Sequence, residues 1–233
     1  MNLLCFDTTS RDASIAVLRD EEIVLEYNFS SMDDLSAMMI PSLEFLLRSL
    51  NMKVAEFDLF GVAVGPGLFT GIRVGLATLK GLDFAAGRPV VGVSTLEALA
   101  SKFPDTNQTV VPMIDARRGE VYIGGYGFDQ GELRERFAPC LLRVEGAVPL
   151  LAPWSDLVFV GSGAENHGDL VRRLFPGGRL LYRSNFLASE IGRIALRDFH
   201  KGRFLTDLQD LHPAYIRRPD AEARHVRPAS DGD

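Results

Sequence analysis

A glycine-rich turn is the first feature of this sequence that could do chemistry. The residues Gly65-Pro66-Gly67-Leu68-Phe69-Thr70-Gly71 follow an apolar, strand-like run and lead into a helical pattern. Free backbone N–H groups at such a helix start can hold a phosphate. The turn lacks the Gly-Lys-Ser/Thr of a Walker A loop, and Thr70 stands where a dinucleotide fingerprint needs its third glycine. The spacing alone leaves both phosphate binding and tight helix packing open.

A carboxylate follows the first predicted strand. Asp7 ends that strand and is followed by the hydroxyl residues Thr8 and Thr9. Such a turn can orient a phosphate or a metal-bound water. An Asp-Thr-Thr sequence is equally a good hairpin turn, so both interpretations stay open.

A second charged turn opens the second half of the chain. The stretch IDARRGEVY carries Asp115, Arg117, Gly119 and Glu120 between two strand-like runs. Paired carboxylates and arginines occur in catalytic sites and in purely structural ion-pair clusters. Here the structural interpretation is favoured over catalysis.

The sequence indicates neither a metal site nor an activated nucleophile. The histidines show no HxxH, HxxxH or HExxH spacing; they are His167, His200, His212 and His225. Ser162 stands in VGSGAEN rather than in a GxSxG elbow. We therefore expect no catalytic residue and no metal ligand in this chain.

Apolar periodicity predicts the elements that position these residues. A run of three strands is followed by alternating helices and strands, which predicts a mixed sheet covered by helices. Strands are predicted over 3–7, 13–18, 22–28, 58–64, 90–93, 109–114, 120–125, 132–138 and 157–160, and helices over 34–50, from the glycine turn to 86, over 94–102, 164–174 and 187–200. Asp33 or Asp34 can cap the first helix, Pro41 should kink it or delay its start, and Ser94 with Glu97 fits a capping box.

The helix after the glycine turn has an unusual face of small residues. At 100° per residue, Arg73, Lys80 and Asp83 share one arc, while Gly71, Gly75, Thr78, Gly81 and Ala85 lie on the opposite arc. Each glycine costs a helix about 1 kcal/mol relative to alanine. Something must therefore approach this face closely, and a phosphate, a core helix or another protein are the candidates.

Composition restricts the class of protein. A chain of 233 residues that is 46% hydrophobic can bury one large or two small cores. Charges interrupt its apolar runs before the ~18 residues of a membrane span, and no signal peptide is recognisable, so we expect a cytoplasmic protein without membrane contact. Cys5 and Cys140 are expected to be reduced. A net charge of -6 argues against unaided binding of nucleic acid over a broad surface.

Four stretches together resemble one protein family. LLCFDTTSRDASIAVL, GPGLFTGIRVGLATLKGL, IDARRGEVY and PAYIRR are similar, in order and spacing, to the TsaB family, also called YeaZ, from residue 1 to about residue 218. The resemblance implies an α/β fold of the actin-like ATPase, sugar kinase and Hsp70 class, which is ribonuclease H-like, with two βββαβαβα-type domains of which the second is truncated. We expect a first domain over 1–105, a smaller one over 106–216 and a flexible tail over 217–233.

The resemblance also implies a function. In this family TsaB takes part in making threonylcarbamoyladenosine in tRNAs that read codons starting with A. The paralogue TsaD carries the metal and transfers the threonylcarbamoyl group, TsaB is the non-catalytic partner, and TsaE is an ATPase that binds the pair. We expect a heterodimer with TsaD, recruitment of TsaE, a homodimer of the chain alone, and contact with tRNA only through the complex. No cofactor is expected for the chain itself, with ATP or ADP only at interfaces of the complex.

The resemblance and the small-residue face together predict a partner interface. It comprises Leu35, Met38, Met39, Phe45, Gly71, Ile72, Gly75, Leu76, Thr78, Leu79 and Leu82. Asp7, Thr8 and Thr9 match the phosphate-binding turn of the paralogues and are assigned as a vestigial nucleotide site. Gly65, Gly67, Asp115, Arg117, Gly119 and Glu120 match family motifs without an assigned role.

Two departures and two alternatives accompany this interpretation. Leu68 stands where the family usually has serine, and Leu35 where it often has histidine, which favours contact surface over chemistry. One alternative is an active nucleotide-dependent kinase or hydrolase of the same fold that uses Asp7 and Asp115. The other is a self-associating, peptidase-like protein, for which we find no activated nucleophile.

Overall fold

The first sheet is built from five strands in the N-terminal half of the chain. In the computed structural model, which describes residues 1–30, 35–104 and 106–217, these are β1 (Asn2–Asp7), β2 (Asp12–Arg19), β3 (Glu22–Ser30), β4 (Leu59–Gly65) and β5 (Val90–Ser94). The sheet order is β3-β2-β1-β4-β5. β1 pairs antiparallel with β2 and parallel with β4, so it is the central strand and is apolar on both faces.

The second sheet repeats this topology. Its strands are β6 (Thr109–Asp115), β7 (Glu120–Asp129), β8 (Glu132–Arg143), β9 (Leu157–Val160) and β10 (Arg179–Leu180). The order is β10-β9-β6-β7-β8. When the strands of each sheet are counted along the chain, both sheets have the order third, second, first, fourth, fifth. The first strand of each sheet pairs antiparallel with the second and parallel with the fourth. The two halves are therefore topological copies.

Seven helices cover the sheets in the described part of the chain. They are α1 (Leu35–Leu50), α2 (Phe69–Ala86), α3 (Thr95–Ser101), α4 (Ala147–Leu151), α5 (Ser162–Asn166), α6 (Gly168–Leu174) and α7 (Ala188–His200). Short 3-10 turns occupy Val54–Glu56, Val144–Gly146 and Leu208–Asp210. No helix of the described residues is long and apolar enough to cross a lipid bilayer.

Strand alternation divides the core into layers. Along β1, Leu4 and Phe6 face α1 and α2, whereas Leu3 and Cys5 face the opposite layer. That second layer lies between the sheets and contains α3 and α7. A third apolar cluster lies on the outer face of the second sheet, against α4 to α6. The helices of the middle layer therefore hold the two halves together.

The end of the described chain returns to the first sheet, although the sequence predicts that residues 106–216 form the second domain. α7 packs on β1, β2, β4 and β5 rather than on the second sheet. Gly61 of β4 allows this close approach, since a Cβ there would lie 3.0 Å from the Cβ of Ala195. Beyond α7, Leu205 bridges Val90, and the N–H of Ala214 donates to the carbonyl of Val64 at 2.8 Å. Both ends of the described chain thus contact the first sheet.

Several local predictions need correction. α1 runs through Pro41 without a break and starts early. Ser94 precedes α3, but its side chain makes no capping hydrogen bond, so the predicted capping box is absent. The helix predicted over 164–174 is divided at His167 into α5 and α6. The caps Asp33 and Asp34, and the tail from residue 218 onward, lie outside the described residues.

Candidate functional site

The sequence-predicted polar residues meet in a cleft between the two halves. The cleft has a volume of about 410 Å³. Its lining from the first half includes Asp7, Thr9 and Asp12, and its lining from the second half includes Asp115 and Asn166. The carboxyl ends of β1 and β6 thus face the same space, as their parallel neighbours and matching topology require.

Asp7 is completely buried at the end of β1. The backbone N–H and the hydroxyl of Thr9 both donate to its Oδ1, at 2.8 and 2.7 Å. Its Oδ2 is buried without a hydrogen-bond partner among the described residues. Burial is the largest cause of a pKa raised from 3.8 to about 6, which the hydrogen bonds from Thr9 oppose.

Asp115 occupies the equivalent place in the second half. The backbone N–H of Arg117, two residues on, donates to its Oδ1 at 2.8 Å, as Thr9 does for Asp7. The amide of Asn166 donates to Oδ2 at 2.9 Å. Both oxygens of Asp115 therefore accept hydrogen bonds from the chain itself, whereas only Oδ1 of Asp7 does so.

The turn after Asp115 has an unusual backbone. Arg117, Arg118 and Gly119 all have positive φ, at 62°, 56° and 76°, and the N–H of Ala116 closes the turn on the carbonyl of Glu120 at 2.9 Å. Arg217 then donates to the carbonyl of Ala116 at 2.8 Å and forms an ion pair with Glu120. The predicted structural ion-pair cluster thus has a partner at the C-terminal end that local sequence reasoning missed.

The glycine-rich turn before α2 packs against the Asp7-Thr8-Thr9 turn of the same chain. The N–H of Leu68, at the start of α2, donates to the carbonyl of Thr9 at 2.6 Å. A Cβ on Gly67 would lie 2.3 Å from that carbonyl oxygen, and a Cβ on Gly71 would lie 1.9 Å from that of Thr8. Thr8 in turn donates its hydroxyl to the carbonyl of Gly71 at 2.8 Å. These glycines bring α2 against the Asp7-Thr8-Thr9 turn, and one N–H group at the start of α2 is already bonded within the chain.

The same contacts show how the residues of the predicted partner interface are placed within this chain. Gly75 also faces inward, since its Cβ would lie 2.5 Å from the hydroxyl of Thr8. The buried members of the predicted set belong to the core of this chain; they are Met39, Gly71, Ile72, Gly75, Leu79 and Leu82. The others, Leu35, Met38, Phe45, Leu76 and Thr78, remain at least partly accessible. Gly71 and Gly75 therefore pack inward, whereas Gly81 and Ala85 of the same small-residue face are exposed.

Other apolar side chains of α1 and α2 are exposed. We use the name α1–α2 outer face for the solvent-facing sides of these two helices, which carry Met38, Ile40 and Phe45 of α1 and Phe84 of α2. At 100° per residue, Ile40 lies on the opposite flank of α1 from Met38 and Phe45. Ile40 is 57% exposed, Phe45 56% and Phe84 96%. Sequence reasoning missed Ile40 and Phe84. The sequence does contain a pattern that indicates Phe84. At 100° per residue it lies on the same arc of α2 as Arg73 and Lys80, so its ring is predicted to face solvent with them rather than the core.

Burial of Asp7 makes a testable prediction about pH. Because the folded-state pKa lies above the ordinary value, the folded chain binds this proton more tightly than the unfolded chain. Its contribution to stability is complete below pH 3.8 and is lost as the pH rises through about 6. The wild type should therefore lose up to about 3 kcal/mol of its free energy of unfolding between pH 4 and 7. The Asp7→Asn variant cannot titrate at this position, so its free energy of unfolding should rise by that amount relative to wild type over the same range. Urea unfolding at each pH measures the difference, and parallel pH profiles would contradict it.

The fold and the cleft define the class of the protein before any comparison. Two mixed five-stranded sheets of one topology, with equivalent aspartates at the ends of their first strands, confirm the predicted actin-like, ribonuclease H-like α/β class. The family model described as "TsaD: tRNA N6-adenosine threonylcarbamoyltransferase" matches residues 31–171, and the chain belongs to that family.

Relatives that match this chain over most of its length are named TsaB rather than TsaD. The chain is 27% identical to the tRNA threonylcarbamoyladenosine biosynthesis protein TsaB of Bacillus subtilis, over 97% of this chain and 98% of the relative. It is also 27% identical to TsaB of Escherichia coli, over 93% and 95% of the two chains. The solved structure of YeaZ from Pseudomonas aeruginosa superposes with a TM-score of 0.78 and 27% identity, covering 92% of this chain and 99% of that one. The resemblance to TsaB, or YeaZ, is confirmed, and with it a role in tRNA threonylcarbamoyladenosine biosynthesis.

Proposed function

We propose that this chain is a non-catalytic scaffold subunit in the synthesis of threonylcarbamoyladenosine in tRNA. In this role it binds a TsaD-type protein through the α1–α2 outer face, activates it, and helps to recruit a TsaE-type ATPase. The relatives named TsaB and the family match to TsaD support the pathway. The mode of action is inferred from the surface and the cleft.

The exposed apolar side chains of the α1–α2 outer face are the observation that carries this proposal. Ile40, Phe45 and Phe84 are each more than half exposed. Several large exposed apolar side chains on neighbouring helices are typical of a surface that binds another protein. Phe45 is held in place by Tyr27, with ring centroids 5.4 Å apart. Pre-ordered aromatic side chains are typical anchors of protein interfaces.

Charged residues also lie on the solvent-facing sides of α1 and α2, as is common at the rim of an interface. Arg73 and Lys80 are exposed on α2, and Arg48 forms an exposed ion pair with Glu44 on α1 at 2.5 Å. In the absence of a TsaD-type partner, two copies can cover the same face in a symmetric homodimer. We therefore propose that a TsaD-type protein and a second copy of this chain bind the same face.

The cleft supports a non-catalytic role for this chain. Both oxygens of Asp115 are bonded within the chain, and the glycine turn is closed on Thr8 and Thr9. An active kinase or hydrolase needs donors that are free to hold phosphates where charge develops. We therefore assign no cofactor to the chain alone and place ATP or ADP, where they act, at interfaces of the complex.

Reconstitution tests the proposal. Unmodified tRNA is incubated with TsaC-type, TsaD-type and TsaE-type proteins, with and without this chain, and threonylcarbamoyladenosine is measured by mass spectrometry. We expect modification to fall at least about tenfold without the chain, because loss of an activating interface removes more than about 1.4 kcal/mol. Neither the chain alone nor the chain without the TsaD-type protein should modify tRNA. Full modification in the absence of the chain would refute the scaffold role.

A further inference from the structure

A second, basic surface lies far from the α1–α2 outer face in the sequence. We call it the arginine surface and define it by Arg172 and Arg173 in the last turn of α6, Arg179 of β10, and Tyr182 and Arg183 just after that strand. All four arginines are exposed, and the ring of Tyr182 is 58% exposed. Between residues 169 and 187 the sequence has four arginines and one acidic residue, Asp169. This local charge is opposite to the net charge of -6 of the whole chain.

Contacts with neutral groups hold most of this surface in place. Arg172 donates to the Tyr182 hydroxyl at 3.2 Å and pairs with Asp169 at 3.2 Å. Arg179 donates to the side-chain oxygen of Gln108 at 3.3 Å. The guanidinium of Arg183 lies 5.5 Å from the ring centre of Phe103. Arg179 and Arg183 are thus held by an uncharged amide and an aromatic ring, respectively. Neither contact neutralises the arginine's charge, so both charges can attract an external anion.

The residue types favour RNA as that anion. The planar guanidinium matches a phosphate with two parallel hydrogen bonds, which lysine cannot do. An exposed tyrosine offers a face on which an unpaired base can stack, and RNA-binding proteins use this combination. Arg172 and Arg173 lie at the end of a helix and Arg179 on an edge strand, and Tyr182 and Arg183 follow directly after that strand.

We propose that the arginine surface contacts the sugar-phosphate backbone of tRNA in the assembled complex, and that Tyr182 stacks on an unpaired base. This inference rests on the proposed scaffold function, because the acidic chain as a whole needs a partner to bring the tRNA to this surface. It extends the prediction that tRNA is reached only through the complex by assigning one of the contacts to this chain.

The test is the affinity of the complex with the TsaD-type protein for an unmodified tRNA transcript, measured by fluorescence anisotropy at several salt concentrations. The variant R173Q/R179Q/R183Q should bind at least about tenfold more weakly near 0.1 M salt, and the slope of log affinity against log salt should fall by about 2 to 3. Tyr182→Ala should bind about tenfold more weakly, whereas Tyr182→Phe should retain affinity because it keeps the stacking ring.

A charge-matched control variant is R134Q/R193Q/R203Q, whose three arginines are also exposed. It should bind tRNA like wild type. Light scattering first establishes whether each variant joins the TsaD-type protein. Normal assembly with unchanged tRNA affinity in the R173Q/R179Q/R183Q variant would overturn the arginine surface and leave the scaffold role intact. Where wild type itself does not assemble with the TsaD-type protein, the scaffold role fails, and the proposed tRNA contact, which rests on that role, fails with it. Binding to phosphatidylserine vesicles without binding to tRNA would also overturn it.

Discussion

Gly71→Ala is expected to destabilise the fold by about 4 kcal/mol or more, because overpacking against a rigid backbone cannot be relieved by a side-chain rotation. The added Cβ would lie 1.9 Å from the carbonyl oxygen of Thr8, far inside van der Waals contact. Relief requires α2 to move away from β1, which breaks the hydrogen bond from the Thr8 hydroxyl to the carbonyl of Gly71. A loss of this size is a large part of the 5 to 15 kcal/mol that stabilises a typical domain.

Gly81→Ala is the matched control in the same helix. A Cβ on Gly81 has no neighbour within 4 Å. Since alanine is a better helix former, this variant should be more stable by up to about 1 kcal/mol. Thermal and urea unfolding of both variants measure the contrast. Equal stability of Gly71→Ala and Gly81→Ala would show that the small-residue face is not packed on the Thr8–Thr9 turn.

The variant I40D/F84D is expected to weaken binding to a TsaD-type protein at least about 100-fold, because charge placed in the apolar centre of an interface is desolvated without a partner. Both side chains are more than half exposed, so the fold should change in stability by only a few tenths of a kcal/mol. The same variant should turn a homodimer of the isolated chain into a monomer. Isothermal titration and light scattering measure the two effects.

Val148→Asp provides the control for this surface charge. Val148 is an exposed apolar residue of α4, on the outer side of the second sheet. We expect this variant to bind the TsaD-type protein like wild type. Undiminished binding by a folded I40D/F84D variant would place the partner elsewhere on the chain.

The sequence predicts the elements well where a pattern is local. The apolar run of β1 and the periodicity of α7 depend on burial along one element, and both appear at nearly the predicted residues. The direction in which a face packs is not local. Periodicity placed Gly71 and Gly75 on one side of α2, but only the tertiary structure shows that Thr8 covers that side.

Long-range contacts explain what the sequence did not predict about the site. The pairing of Arg217 with the turn at Glu120 joins residues that are 97 positions apart, and no spacing rule connects them. The orphan Oδ2 of Asp7 likewise depends on which elements surround it. The equivalence of Asp7 and Asp115 was within reach, because both end the first strand of a repeated strand pattern.

The return of α7 to the first sheet has a consequence for the order in which the chain folds. The inner face of that sheet, with Leu3, Cys5 and Leu18, is covered by residues such as Ile191 and Ala195, near the other end of the chain. During synthesis the N-terminal half emerges first, yet it lacks the helix that closes its core until almost the whole chain has been made. The second half can complete its own outer layer earlier. The N-terminal domain is therefore the first to be translated and the last to be closed.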